Sequence, residues 1–393
     1  MNQGARGADP GYAGRMLAIP DMLWSTAALQ VRRVPHPSNV CVVTFGNYAD
    51  DPAEDRPGFA EAFLNGRVID AVHVISRRND WYHTADMPGA IAAIRAALGG
   101  KRVFTYGSSM GGYAALRFAG ALGAVGVIAI SPQFSLDHRV VPWERRWRPE
   151  AARIRFLAWP DDPAPPATVF FDPRGSDARH VALWAAGRVV VAMPLPYSGH
   201  PSGAFLAELG LLRPAVLDIL AGRFDAAALV RAARARRRWA GRTFAALADA
   251  QPAYRRRWAL RLMRRAVAAA PGSTQYASEL AIRLHRAGAV AEAEAFHRRA
   301  LRLSGDDPLF LFRLSRFLER EGRFHEARVA ADAAAVARPA DTALLRHATR
   351  LARLAGPPGL VRFMLRTSNV ATARVTTMAW RRGWPAWGRL GQP

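Results

Sequence analysis

The sequence predicts an α/β domain with a mostly parallel sheet and helices on both faces, followed by an all-α domain of helical repeats. Two observations predict the first part: short apolar, mostly β-branched runs recur up to about residue 225, and helical stretches separate them. Strands that alternate with helices are joined by right-handed crossovers, which produce a parallel sheet covered on both faces. Beyond residue 226 the strand-like runs stop, and a helical pattern repeats every 34 residues.

The α/β part contains six runs of the buried-strand type, separated by helices. The strands are Val40–Phe45, Ala71–Ile75, Val103–Tyr106, Val125–Ile130, Val169–Phe171 and Val189–Ala192, and the helices include Ala85–Leu98, Tyr113–Leu122 and His180–Ala186. Residues 132–166 interrupt the alternation with proline and three tryptophans, Trp143, Trp147 and Trp159. This insertion is either a lid over a substrate pocket or a surface elaboration.

Small and apolar residues recur at fixed offsets in the helical part. The matching pairs are Leu280 and Leu314, Gly288 and Gly322, Ala293 and Ala327, and Ala300 and Ala334. Small residues allow two antiparallel helices to approach closely, and glycine ends the first helix of each pair. These residues resemble tetratricopeptide repeats, with His297 and Ala331 at positions where an aromatic residue is common. The resemblance implies a module that binds a protein partner.

Composition sets the number of domains and the expected compartment. With 393 residues, 50% of them hydrophobic and 22% charged, the chain is too long for one core and too apolar to be disordered. No apolar run reaches the length of a membrane span, and the first residues lack the order of a secretory signal. Because the single cysteine, Cys41, has no intrachain partner for a disulfide, we expect a cytoplasmic protein.

These patterns divide the chain into five segments. They are a poorly ordered N-terminus (1–15), the α/β domain (16–225), an arginine-rich helical connector or degenerate repeat (226–270), the repeats (271–356) and a tail rich in tryptophan and arginine (357–393). Packing of this tail onto the body is favoured over contact with a membrane surface.

The chain carries a net charge of +24, almost all of it from arginine. Twelve arginines and one acid, Asp249, lie between Arg231 and Arg265, with Arg231, Arg234, Arg238 and Arg242 at the spacing of one helix face. Such a surface either binds polyanions or reflects codon bias, and a solvated helix face is its commoner meaning. Since no zinc-finger, basic-zipper or RNA-binding signature accompanies it, nucleic acid is not a predicted partner.

The segment that carries chemistry is RVFTYGSSMGGYAALRFAG, residues 102–120, in which a strand runs into Gly-x-Ser-x-Gly and then into a helix. A sharp strand-to-helix turn needs glycine at Gly107 and Gly111, because a Cβ at either position would strike the neighbouring backbone. The turn exposes the Ser109 hydroxyl at the carboxyl edge of the sheet and aims the free N–H groups of the next helix at the same place. Ser109 is therefore the predicted nucleophile.

In this segment and its surroundings, about residues 25–225, the sequence resembles the α/β-hydrolase family. The resemblance implies a nucleophile, an acid and a histidine in that order, the last two after later strands. His200, in Tyr197-Ser198-Gly199-His200, would be the base, and Asp177 or Asp172 the acid, with Asp177 preferred. The oxyanion hole would be formed by the N–H of Met110 and by that of Gly46 or Asn47.

The predicted function is that of a serine hydrolase acting on an ester or thioester through an acyl-enzyme. One alternative is an acyltransferase or deacylase acting on a glycan, and another is a repeat scaffold whose hydrolase-like domain is inactive. The substrate would be a small-molecule or glycan acyl ester. No metal-ligand set, phosphate-binding loop or dinucleotide pattern is present in the sequence, so no cofactor or metal is predicted.

Overall fold

The computed structural model describes residues 20–355, apart from residues 50, 51, 53, 54, 159–161 and 340. The predictions for the N-terminus, Trp159 and the tail from residue 357 lie outside the described residues. The chain forms two compact units, which divide between Arg237 and Arg238.

The first unit is built on an eight-stranded sheet with the order β1-β2-β4-β3-β5-β6-β7-β8. Strand β2 runs antiparallel to both of its neighbours. The other six strands that follow it in this order, β4, β3, β5, β6, β7 and β8, are parallel to one another. This confirms the predicted mostly parallel sheet. The strands are β1 (Asp21–Ser25), β2 (Leu29–Val34), β3 (Val40–Phe45), β4 (Asp70–Ser76), β5 (Arg102–Ser108), β6 (Gly126–Ile130), β7 (Ala167–Phe171) and β8 (Val190–Pro194).

Sequence analysis missed β1 and β2, the two strands at one end of the sheet. Strand β2 reads LQVRRV, so two adjacent arginines interrupt its apolar pattern. Arg33 pairs with Asp70 of β4, at 2.7 Å, and Arg32 donates a hydrogen bond to the carbonyl of Arg56. Charged residues are accommodated in this strand because tertiary partners satisfy them, and such partners leave no periodic signal in the sequence.

Both faces of the sheet are covered, as predicted. Val43 and Phe45 of β3 lie in one apolar cluster with buried residues of the helices α2 (Met87–Ala97) and α3 (Met110–Arg117). On the opposite face, Tyr106 packs its ring on Phe59, with the ring centroids 4.8 Å apart. The other helices of this unit are α1 (Glu61–Gly66), α4 (Arg148–Ala151), α5 (Asp177–Ala185), α6 (Gly203–Glu208), α7 (Leu212–Leu220) and α8 (Ala226–Arg236).

The second unit is helical, and its buried residues follow the predicted 34-residue spacing. Gly288 and Gly322 have φ angles of +81° and +73°, so each occupies the left-handed region just after a helix. Ala293 and Ala327 are fully buried. The helices are α9 (Gly241–Asp249), α10 (Arg256–Ala269), α11 (Thr274–Arg286), α12 (Val290–Ser304), α13 (Pro308–Arg320), α14 (Phe324–Ala337) and α15 (Thr342–Leu354). The repeat prediction is confirmed.

The predicted arginine stripe does not lie on one helix face. Helix α8 ends at Arg236, a short 3-10 turn covers Arg237–Trp239, and α9 begins at Gly241. Arg231 is exposed on α8, whereas Arg242 is buried in α9. The spacing of the four arginines gave a wrong prediction because helical periodicity applies only within one uninterrupted helix. Within the described residues, no helix has both the length and the apolar character needed to cross a bilayer.

Candidate active site

The turn between β5 and α3 has the geometry that its glycines predict. Ser109 adopts φ +52° and ψ −118°, a strained conformation for a residue with a Cβ. A Cβ added to Gly107 would lie 2.1 Å from the carbonyl oxygen of Gly111, and one added to Gly111 would lie 2.3 Å from that of Phe45. The Ser109 N–H donates to the carbonyl of Ile130 on β6, at 2.8 Å. Backbone contacts on both sides therefore hold the serine in place.

Three of the predicted residues meet at the carboxyl edge of the sheet. Ser109 Oγ lies 2.9 Å from His200 Nε2, and His200 Nδ1 lies 2.8 Å from Asp177 Oδ2. Asp177 is the first residue of α5, just beyond β7, and His200 follows β8. With a proton on Nδ1 that is donated to Asp177, Nε2 is free to accept the proton of the serine hydroxyl. This arrangement can move a proton from Ser109 to His200.

The other candidate acid, Asp172, is bound differently. Its two carboxylate oxygens accept backbone N–H groups, Oδ2 that of Gly199 at 2.8 Å and Oδ1 that of Arg174 at 3.0 Å. Asp172 thus ties down the loop that carries His200.

A half-buried arginine on the insertion contacts the carboxylate that faces His200. Arg146 Nη1 lies 2.8 Å from Asp177 Oδ1, and Nη2 of the same guanidinium lies 2.7 Å from Glu144 Oε2. Burial alone would raise the pKa of Asp177, but His200 and Arg146 hold that pKa well below its usual value. Sequence analysis missed Arg146, because only the unusual composition of the insertion pointed to this segment.

Glu144 extends the same network to a second histidine. Burial would raise the pKa of Glu144, yet hydrogen bonds from His180 and Arg146 lower it to about 2. His180 Nδ1 accepts the N–H of Phe134 at 3.0 Å, so its Nε2 carries the proton that is donated to Glu144 at 2.9 Å. Both carboxylates of the network are therefore ionised at neutral pH.

The two candidates for the second oxyanion donor differ in their hydrogen bonding. The N–H of Gly46 donates to the carbonyl of Val74 at 3.0 Å, which continues the ladder between β3 and β4. This leaves Asn47 as the candidate from that turn, together with Met110, the first residue of α3. Asn47 Oδ1 is buried and has no hydrogen-bond partner among the described residues.

Aromatic side chains form a wall beside His200. The ring centroid of Trp147 lies 6.3 Å from that of His200, 5.3 Å from that of Tyr48 and 5.2 Å from that of Trp81. The indole N–H of Trp147 is buried without a partner among the described residues. Sequence analysis named Trp147 only as part of the insertion.

A buried glutamine also reaches the serine. Gln133 Nε2 lies 3.2 Å from Ser109 Oγ, and sequence analysis did not identify this residue.

In the described part of the chain, no group of three histidine, cysteine, aspartate or glutamate side chains is placed to hold a metal ion.

Replacing Arg146 by methionine removes the positive charge shared by Glu144 and Asp177. We expect Arg146→Met to lower the free energy of unfolding by on the order of 3 kcal/mol at neutral pH, because two buried carboxylates lose their counterion. The deficit in unfolding free energy is fully present above about pH 4 and shrinks as the pH falls toward 2. Over that range the carboxyls become protonated, so their ionised forms no longer stabilise the native protein through Arg146. Urea unfolding followed by tryptophan fluorescence measures it.

Arg139→Met is the matched control, because Arg139 contacts the carboxylate two residues before it, as Arg146 does, but with an exposed side chain. We expect this control to leave the unfolding free energy unchanged. An equal loss in both variants would contradict a special role for Arg146.

Comparisons with known proteins give partial likenesses to solved structures. No family model matches the chain, and no curated protein matches it. An α/β serine hydrolase without lid from Xanthomonas campestris is 18% identical, with a TM-score of 0.29 over 46% of this chain and 85% of that one. The capsule O-acetyltransferase of Neisseria meningitidis serogroup A is 12% identical, with a TM-score of 0.37 over 53% and 97%.

A tetratricopeptide repeat protein of Thermus thermophilus is 23% identical, with a TM-score of 0.27 over 44% of this chain and 94% of that one. By its strand order and its repeating helix pairs, the chain combines an α/β-hydrolase-like fold with tetratricopeptide-like repeats.

Proposed function

We propose that the first unit catalyses serine-dependent acyl transfer from an ester or thioester. The observation that carries this proposal is the unbroken series of hydrogen bonds from Ser109 through His200 to Asp177. In the first step the Ser109 proton moves to His200 Nε2, Oγ bonds to the acyl carbon, and the leaving group departs with the proton from His200. In the second step water or an alcohol gives its proton to His200 and attacks the acyl carbon, and Oγ leaves with that proton.

The charges around His200 support this role. Asp177 and Glu144 are ionised, and Arg146 is the cation between them, so these three residues carry one net negative charge. When His200 takes the serine proton, its new positive charge forms next to this negative cluster. The negative cluster stabilises the charged histidine of the transition state more than the neutral histidine of the ground state. Such a difference is the requirement for catalysis.

The alternative of an inactive hydrolase-like domain is less well supported. It would be favoured by a serine far from the histidine, whereas Ser109 and His200 lie within hydrogen-bond distance. In addition, the strained backbone of Ser109 has no evident structural use, and such strain persists mainly at functional sites.

A fluorophosphonate probe tests the proposal without knowledge of the substrate. We expect the probe to label Ser109 in the full chain, with no labelling of Ser109→Ala and at least about 100-fold slower labelling of His200→Ala. Intact-mass and peptide mass spectrometry measure the modification and its position. A wild-type chain that remains unlabelled, or a label on another residue, would contradict the proposal.

The two aspartates that follow β7, Asp172 and Asp177, provide a second test. We expect Asp177→Asn to lower kcat/KM for an activated acyl ester by about 1000-fold or more, because the amide no longer stabilises the imidazolium. Asp172→Asn removes a charge that accepts the N–H of Gly199 in the loop that carries His200, and it is expected to cost less than about tenfold. Steady-state kinetics of both variants measure the difference, and the reverse ranking would reassign the acid to Asp172.

We infer as a second candidate that the acceptor is a hydroxyl of a polyhydroxylated molecule, such as a sugar, rather than water. Asn47 Oδ1 and Trp147 Nε1 are buried without hydrogen-bond partners among the described residues, and a polar ligand would supply them. Flat aromatic faces, here those of Trp147 and Tyr48, also pack well on sugar rings. The repeats would bind a protein partner that presents or receives the product.

Trp147→Phe keeps a ring in the wall and removes the indole N–H. We expect it to lower the ratio of acyl transfer to hydrolysis severalfold with a sugar acceptor present, because the acceptor loses one hydrogen bond. Trp143→Phe is the control, since that ring packs on His180, 4.5 Å between centroids. Product analysis by mass spectrometry with graded acyl esters gives the ratio, and an unchanged ratio in Trp147→Phe would rule against this acceptor site.

A further inference from the structure

Gln133 lies in the loop after β6 with its side chain wholly buried. Its Nε2 lies 3.2 Å from Ser109 Oγ, the atom that attacks the substrate in the proposed function. Its main-chain carbonyl accepts the indole N–H of Trp184 at 3.0 Å. A neutral amide that is itself shielded from solvent thus lies against the nucleophile.

A second tryptophan determines which end of the amide faces the serine. The indole Nε1 of Trp81 lies 3.0 Å from Gln133 Oε1. An indole N–H can only donate, so the atom that it contacts must be the amide oxygen, and the NH₂ group must face Ser109. Trp81 is itself held in a left-handed backbone conformation, with φ +51°, and is 1% exposed. This strained, buried residue therefore sets the orientation of the glutamine.

We propose that Gln133 is a catalytic residue that donates a hydrogen bond to Ser109 Oγ and stabilises the negative charge that develops there. This inference rests on the proposed function of the site. As His200 removes the serine proton, Oγ gains charge, and a donor bonds more strongly to a charged oxygen than to a neutral hydroxyl. The difference lowers the barrier to attack. Gln133 keeps its own protons throughout.

The same contact acts in the second half of the reaction. There Oγ is the leaving oxygen of the acyl-enzyme, and it again carries developing charge as its bond to the acyl carbon breaks. A donor aimed at Oγ, rather than only at the carbonyl oxygen of the substrate, makes the serine both a better nucleophile and a better leaving group. Backbone N–H groups such as that of Met110 would stabilise the substrate oxyanion separately.

The test is the rate at which a fluorophosphonate labels Ser109, since this step needs the nucleophile but no particular substrate. Gln133→Met fills the same space without a donor, and we expect labelling about 10- to 100-fold slower than in the wild-type chain. Trp81→Phe keeps the ring but frees the amide to turn, and we expect a smaller loss of about three- to tenfold.

Trp184→Phe is the matched control, because it removes an indole N–H bond of the same length to the main chain of Gln133 and leaves the side-chain amide in place. We expect its labelling rate to match that of the wild-type chain. Labelling of Gln133→Met at the wild-type rate would overturn the inference and leave the proposed function standing. Equal losses in Trp81→Phe and Trp184→Phe would overturn it as well, since loosened packing would then explain them. A wild-type chain that is not labelled would contradict both the inference about Gln133 and the proposed function.

Discussion

The candidate active site depends on one buried charge, the carboxylate of Asp177. The side chain is almost without solvent contact, and an ionised carboxyl in such a place must be matched by cations and hydrogen bonds. One oxygen faces His200 and the other faces Arg146, so the same group orients the histidine and holds the insertion in place. Because both contacts serve one charge, a change in the insertion alters the electrostatics of the histidine.

Backbone strain is concentrated around the same place. Ser109, Trp81 and Tyr82 all have positive φ angles, which are costly for side chains with a Cβ and for bulky aromatic residues above all. The strain is sustained by the packing around it: Tyr82 is fully buried and donates its hydroxyl to the carbonyl of Gly46. This contact joins the turn after β3 to the loop after β4.

The insertion of residues 132–166 supplies much of what surrounds the serine. Gln133 reaches the serine oxygen, Arg146 reaches the acid, and Trp147 lies beside the histidine. The sheet positions the proposed nucleophile, acid and base, whereas the segment between β6 and β7 supplies the groups that contact them. The choice of substrate and acceptor would then reside mainly in this insertion.

The sequence by itself determined the parallel strands, the 34-residue repeat and the serine turn, because each depends on a local pattern: continuous apolar runs, small residues at fixed offsets, and glycines where no Cβ fits. Only the tertiary structure decided which aspartate faces His200, and it alone revealed Gln133 and Arg146. These residues lie 24 and 31 positions from the groups that they contact, Ser109 and Asp177. Hydrogen bonds and charge pairs across such distances are made by the packing of separate segments, and they leave no periodic trace along the chain. Strand β2 escaped sequence analysis for the same reason, since its arginines are satisfied only by partners elsewhere in the fold.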